Sequence, residues 1–157
     1  MPTKSPPAFV ADCHLGKLAK YLRMMGFDTL YFPSIDDDDL VRLATEEDRI
    51  ILSRDRELCA RKKVPCLLLQ PEDTVAQLKT VVAAYGLKTL NSPFSRCLVC
   101  NAPLRSIDKK EVTGMVPPKI VKFFSEFAIC PECKKVYWHG DHYKRMKRLI
   151  ETVLEEV

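Results

Sequence analysis

Apolar and polar positions come in blocks along the first ninety residues. A short apolar run, Ala8–Asp12 (AFVAD), ends in a carboxylate and suits a buried strand. Leu15, Leu18, Ala19, Leu22 and Met25 then follow the i, i+3, i+4, i+7 spacing of an amphipathic helix, which Gly26 stops. DTLYF at 28–32 is a second strand, ended by Pro33. Leu40, Val41, Leu43 and Ala44 mark a short helix behind an aspartate run, and RIILS at 49–53 is a third strand. A helical turn or two over 55–62 leads to PCLLL at 65–69, a fourth strand. Asp73 or Thr74 can cap a helix carrying Val75, Leu78, Val81 and Val82, which ends at Gly86.

Strand and helix therefore alternate four times, and the strands are apolar throughout. Such a pattern predicts an α/β fold with a parallel sheet flanked by helices on both faces. It breaks at 87–96 (LKTLNSPFSR), which reads as a linker or boundary. Beyond it come a CxxC pair, turns, short strands, a second CxxC pair and a terminal helix from about residue 141. The expected organisation is a sheet domain over 1–90 and a small metal-stapled unit with a terminal helix over 91–157.

Charge refines this division. Of the net +4, residues 1–90 contribute nothing, with 13 Lys+Arg against 13 Asp+Glu. Residues 91–157 hold 12 against 8 and supply the whole excess. A basic C-terminal part weakly suggests a polyanionic partner; on charge alone a well-charged soluble surface is the better account. The composition, 46% hydrophobic and 29% charged, is that of a globular chain. No apolar run approaches the roughly 20 residues of a membrane span. The opening MPTKSPPAFVAD lacks the apolar core of a secretory leader, so a cytoplasmic location is expected.

The seven cysteines divide by spacing. Cys97 and Cys100 form one CxxC knuckle, and Cys130 and Cys133 form the other. Two such pairs converge on one ion as a tetrahedral Cys₄ cage, for which Zn²⁺ is the expected occupant and iron the alternative. A closed cage leaves no open coordination position, so its role is structural. The long gap between the pairs suits a ribbon with a hairpin insertion. Four thiolates suffice, so neither His139 nor His142 is needed as a ligand. Cys13, Cys59 and Cys66 read as reduced thiols.

The acids carry the chemistry. In a doubly wound sheet the site lies at the carboxyl ends of the strands. Asp12 ends the first strand and Asp55 follows the third, in SRD at 53–55. The run Asp36–Asp39 heads the helix leading into that third strand. Carboxylates from three segments then suit one or two Mg²⁺ or Mn²⁺ ions that prepare water to attack phosphate. Each acid also has a plainer role, as an N-cap or as favourable charge in a helix's first turn. Arg23, Arg54 and Arg56 flank the proposed edge as phosphate contacts, although Arg23 serves equally as a solvated helix residue. The terminal helix opens with Lys144, Arg145, Lys147 and Arg148 near its positive end, against the macrodipole; phosphate contact would account for that placement.

VADCHLGKLAKYLRMMGFDTL, DDDDLVRLATEEDRIILSRDREL, the CxxC pairs and YWHGDHYKRM together resemble the PIN-like RNase domain with an appended zinc ribbon found at the C-terminal end of Mut-seven-type proteins. The resemblance spans nearly the whole chain. It implies metal-dependent RNA cleavage, with Asp12 and Asp55 as first and third acids and Ser53 where the family's signature has threonine. The second acid falls on Asp37, with Asp36 and Asp38 as alternatives. A fourth acid is matched nearest by Glu57, and more distantly by Asp73. Arg54, Lys144, Arg145, Lys147 and Arg148 would bind RNA. A binding module with a degenerate site, or a zinc-dependent scaffold in an RNA-processing complex, are the rival expectations.

Overall fold

Successive residues of the central strands are buried on opposite faces of the sheet. In β1 (Phe9–Ala11), Phe9 and Ala11 join one apolar cluster and Val10 joins a second. In β3 (Ile50–Ser53), Leu52 joins the first cluster and Ile51 the second. This period of two gives the sheet a core on each face. The computed structural model describes residues 5–61 and 63–157.

β1, β2 (Thr29–Tyr31), β3 and β4 (Cys66–Leu68) form a four-stranded, all-parallel sheet in the order β2-β1-β3-β4. The larger cluster draws apolar residues from α1 (Gly16–Met24), α4 (Thr74–Tyr85) and α7 (Asp141–Glu156). The smaller one holds Leu40 and Ala44 of α2 (Asp37–Glu46) and Leu58 of α3 (Arg56–Cys59) against Val10 and Ile51. The predicted parallel sheet with helices on both faces is thus the observed one.

Local chemistry sets the ends of these helices. The Asp73 carboxylate accepts from the Ala76 N–H at 3.1 Å and caps α4. Gly86, at φ 61°, closes it by donating to the Val82 carbonyl. The turn predicted over 55–62 is the four-residue α3; Lys62 lies outside the described residues, as do residues 1–4.

Residues 87–96, expected as a linker, are docked on the sheet unit. One 3₁₀ turn, Leu87–Thr89, is followed by backbone bonds from Ser92 N to Met25 O (2.7 Å) and Phe94 N to Met24 O (3.0 Å). A side chain at Gly26 would meet the Ser92 carbonyl at 2.3 Å, so the close approach depends on glycine.

The C-terminal segment forms an antiparallel sheet of β5 (Arg105–Ile107), β6 (Phe127–Ile129) and β7 (Val136–Tyr137). The expected hairpin insertion is instead two short helices, α5 (Lys109–Val112) and α6 (Pro118–Phe123). Asp108 caps the first by accepting from Lys110 N, and Pro118 opens the second, where its missing N–H costs nothing.

Two further expectations are corrected. Cys59 and Cys66 are joined in a disulfide rather than reduced, because the end of α3 lies beside β4, with the two Cα atoms 5.1 Å apart. Among the three scattered cysteines, Cys13 alone remains a free thiol. Arg23 is neither a phosphate contact nor a solvated residue: it is 7% exposed. Its Nε donates to Thr29 O at 2.8 Å, and one terminal nitrogen donates to Leu98 O (2.9 Å) and Val99 O (3.2 Å). The position falls on the buried stripe of α1, so its charge is spent on carbonyls that helices and strands leave unpaired. Among the described residues no helix is long and apolar enough to cross a membrane.

Candidate active site and cysteine cage

The strand order places the candidate site. The chain runs from β1 to β2 on one side and then crosses to β3 on the other, so the sheet reverses between β1 and β3. A crevice forms where connections leave such neighbours in opposite directions. Asp12 leaves β1 and Asp55 follows β3 at that crevice. A cavity of about 340 Å³ there is lined by Asp12, Asp37, Asp55 and Arg54, together with Cys13 and His14.

Ser53 ties two of these acids together. Its hydroxyl donates to Asp12 Oδ2 at 2.8 Å and accepts from Asp55 N at 3.0 Å. Asp12 Oδ1 accepts from Cys13 N at 2.8 Å. Tyr31 donates its hydroxyl proton to Cys13 O at 2.9 Å, which pins the loop from the neighbouring strand. Burial and the Asp12 charge push the Cys13 thiol above its ordinary value, so it stands protonated beside the acids. Asp55 is also the N-cap of α3, its Oδ1 accepting from Glu57 N (2.9 Å) and Leu58 N (3.3 Å).

The aspartate run divides its labour. Asp36 holds the N-cap position of α2 without a side-chain hydrogen bond. Asp38 pairs with Arg61 at 2.8 Å and Asp39 with Arg42 at 2.6 Å. Among the described residues, Asp37 is the member of the run that reaches the Asp12–Asp55 cavity. Glu57 is exposed in the first turn of α3 and is not among the residues lining that cavity. Lys144, Arg145, Lys147 and Arg148 are all exposed on α7. Sequence reasoning missed the part of Ser53 as a bridge, although its position inside the SRD stretch was the signal. It also missed Tyr31 and His14, for which no signal stood out.

The cysteine cage has a doubled geometry. Cys100 N points to Cys97 Sγ at 3.5 Å, and Cys133 N to Cys130 Sγ at 3.5 Å. Asn101 and Lys134, each just after the second cysteine of its pair, take left-handed φ values of 69° and 66°. They donate to Cys97 O at 3.0 Å and Cys130 O at 2.9 Å. Two equivalent turns thus present their sulfurs to one point, and all four Sγ atoms lie within 4.8 Å of one another. The donor set fits a thiophilic ion. Among the described residues this is the one group of three or more His, Cys, Asp or Glu side chains whose ligand atoms are gathered in this way.

Tyr137 tunes the cage. Its oxygen accepts from Leu98 N at 3.0 Å and lies 3.1 Å from Cys97 Sγ, so its proton is directed to sulfur. Burial pushes the Cys97 thiol up, but bonds from Tyr137 and the Cys100 and Val99 amides outweigh it and hold it at about 6. Cys100, desolvated and bonded to Cys130, is pushed up to about 12. The cage is therefore uneven, with Cys97 the more readily ionised of the two thiols. His139 stacks on Tyr143 with centroids 4.2 Å apart and packs edge-on to Phe94.

The sequence matches the family described as the Mut7-C RNAse domain over residues 7–150. The chain belongs to that family. No curated protein and no solved structure matches it. Membership in an RNase family points to a nuclease role with RNA as the substrate class. The matched span runs through both the acidic cavity and the cysteine cage.

Proposed function

We propose that the protein is a metal-dependent, PIN-like ribonuclease that hydrolyses RNA phosphodiesters at the Asp12–Asp37–Asp55 cavity, and that its cysteines hold a structural Zn²⁺. The observation that carries this reading is the meeting of acids from three separate segments in one cavity at the sheet's reversal point. Their hard oxygens suit Mg²⁺ or Mn²⁺. When bound, such an ion supplies activation of water and neutralises charge developing on the phosphate.

The chain's own residues do the rest. Ser53 holds Asp12 and the Asp55 backbone in register, so the acids are ordered before substrate arrives. Arg54, which lines the cavity, orients the scissile phosphate. Glu57 serves as a fourth acid only if α3 shifts toward the cavity with substrate bound. The zinc ribbon and the basic residues of α7 guide the RNA backbone. A second reading, a catalytically weak RNA- or protein-binding module, draws on the fourth-acid position, since Glu57 is exposed and does not line the cavity.

Cleavage of labelled single-stranded and structured RNA by zinc-loaded protein, in Mn²⁺, Mg²⁺ or EDTA, tests the two. The Asp12→Asn and Asp55→Asn variants run alongside; asparagine retains the capping oxygen of Asp55. Cleavage that requires the divalent ion and falls to the EDTA background in both variants is the expected result. Equal trace activity in wild type and variants would leave the binding module as the better account.

A further inference from the structure

A second surface feature borders α1, whose N-cap residue Leu15 lines the acidic cavity. A groove of about 280 Å³ runs between α1, the first cysteine knuckle and the start of α7. Its walls include Trp138, Val99, Lys20, Lys135 and Asp141. We propose that this groove is a nucleobase-stacking subsite for single-stranded RNA, with Trp138 as the platform and Lys20 and Lys135 as phosphate contacts. The proposal rests on the nuclease reading for its ligand class and adds to it a site away from the acids.

Trp138 stands at the edge of the apolar packing, lining both the groove and a small cavity shared with Met24, Leu98 and Met146. Phe94, Tyr137, His139 and Tyr143 pack upon one another in edge-on and stacked pairs. Among the described residues Trp138 has no aromatic partner, its indole N–H donates to no protein acceptor, and the side chain keeps part of its surface exposed. A Cβ at Gly140 would lie 2.8 Å from the indole nitrogen, so glycine lets the ring lie over the backbone. Val99, 58% exposed, extends the apolar floor. An aromatic platform between lysines is the combination that binds unpaired bases, since every base offers a π-face and every nucleotide a phosphate.

The position fits a strand that continues into the acidic cavity. Leu15 lines the cavity, and Lys17 and Lys20 are exposed on the helix that follows it. Residues three apart share a helix face. The rise from Gly16 to Lys20 is about 6 Å, on the order of two stacked nucleotides. Asp141 sets the polarity: an acceptor-only carboxylate repels phosphate and suits a base's amino group, so the backbone should pass on the lysine side.

Trp138 is the chain's single tryptophan, so its fluorescence reports on the groove directly. The experiment titrates full-length, zinc-loaded Asp12→Asn protein with single-stranded oligoadenylate, with the same strand in a duplex, and with polyglutamate. Saturable quenching by the single strand alone is expected. By labelled-strand anisotropy, Trp138→Ala should bind about five- to a hundred-fold more weakly. Trp138→Phe should recover part of that, and Gly140→Ala and Lys20→Glu should each weaken binding at unchanged zinc content. Quenching without RNA cleavage by wild type would uphold the groove while the nuclease reading fails. Cleavage by wild type with no quenching, or equal quenching by duplex or polyglutamate, would overturn the groove and leave the nuclease intact.

Discussion

The parallel sheet and the cysteine ribbon are held by different physics. Around the sheet, Phe9, Leu18, Leu22, Leu52, Leu78 and Val82 are fully buried, and the hydrogen-bonded strands and their helices interlock over a broad apolar core. The ribbon has three strands of two or three residues and an insertion whose Phe123 stands 66% exposed. Its order comes from four sulfurs, from Leu98 and Tyr137 packed into the larger apolar cluster, and from polar bolts to its neighbour. Arg23 reaches from α1 to the carbonyls of Leu98 and Val99 inside the first knuckle. Asn101 accepts from Thr29 N at 2.9 Å and donates to the Asp28 carboxylate at 2.6 Å. A unit with so small a core of its own leans on the sulfur cage, which an ion would close, and on the edge of the parallel sheet.

Removing the metal breaks this comparison most severely. Structural zinc in small cages contributes on the order of 10–16 kcal/mol of apparent folding free energy. Chelation, or Cys130→Ser, should therefore open residues 97–140 to protease and to amide exchange, while amides of β1 and β3 stay protected. Simultaneous loss of protection in both regions would show that the ribbon supports the sheet as well as leaning on it. The converse lesion is Leu52→Ala, which empties a fully buried site in the larger cluster. It should cost about 2–5 kcal/mol in urea unfolding, with zinc content unchanged.

The same contrast explains how far the sequence could be read. Period-two and period-3.6 patterns report apolar burial, and the sheet is made of it, so β1 to β4 and their helices were legible. CxxC spacing reports a cage, so Cys97, Cys100, Cys130 and Cys133 were legible too. What escaped was polar and long-range. Arg23 carries the charge of a surface residue on a buried stripe, and its partners lie 75 and 76 positions away. The Cys59–Cys66 pairing depends on α3 ending beside β4, and nothing in seven residues of spacing says so. In the acidic cavity the three acids could be proposed, but the choice of Asp37 over its neighbours depends on the phase of α2. Asp38 and Asp39 turn out to be occupied by Arg61 and Arg42.

The smallest effect, and the sharpest probe of the seam between the two regions, concerns Asp28. Its carboxylate takes a forked bond from Arg49, at 2.7 and 3.2 Å, as well as the one from Asn101. Partial burial raises its pKa, but the bonds from Arg49 and Asn101 outweigh that and hold it below the ordinary carboxylate value. A depressed pKa in the folded state means stability that is fully present above the unfolded value of about 3.9. It is lost as the pH falls through the lower folded value. Asp28→Asn keeps the shape and one acceptor but not the charge, and should cost about 1 kcal/mol at neutral pH. The gap between wild type and variant should close as the pH drops below about 4, because protonation removes from wild type what the substitution already took. A gap that stays constant from neutral pH to the acid transition would mean that Asp28 acts by shape alone. The Arg49 and Asn101 bonds would then position the ribbon without the carboxylate's charge holding it there.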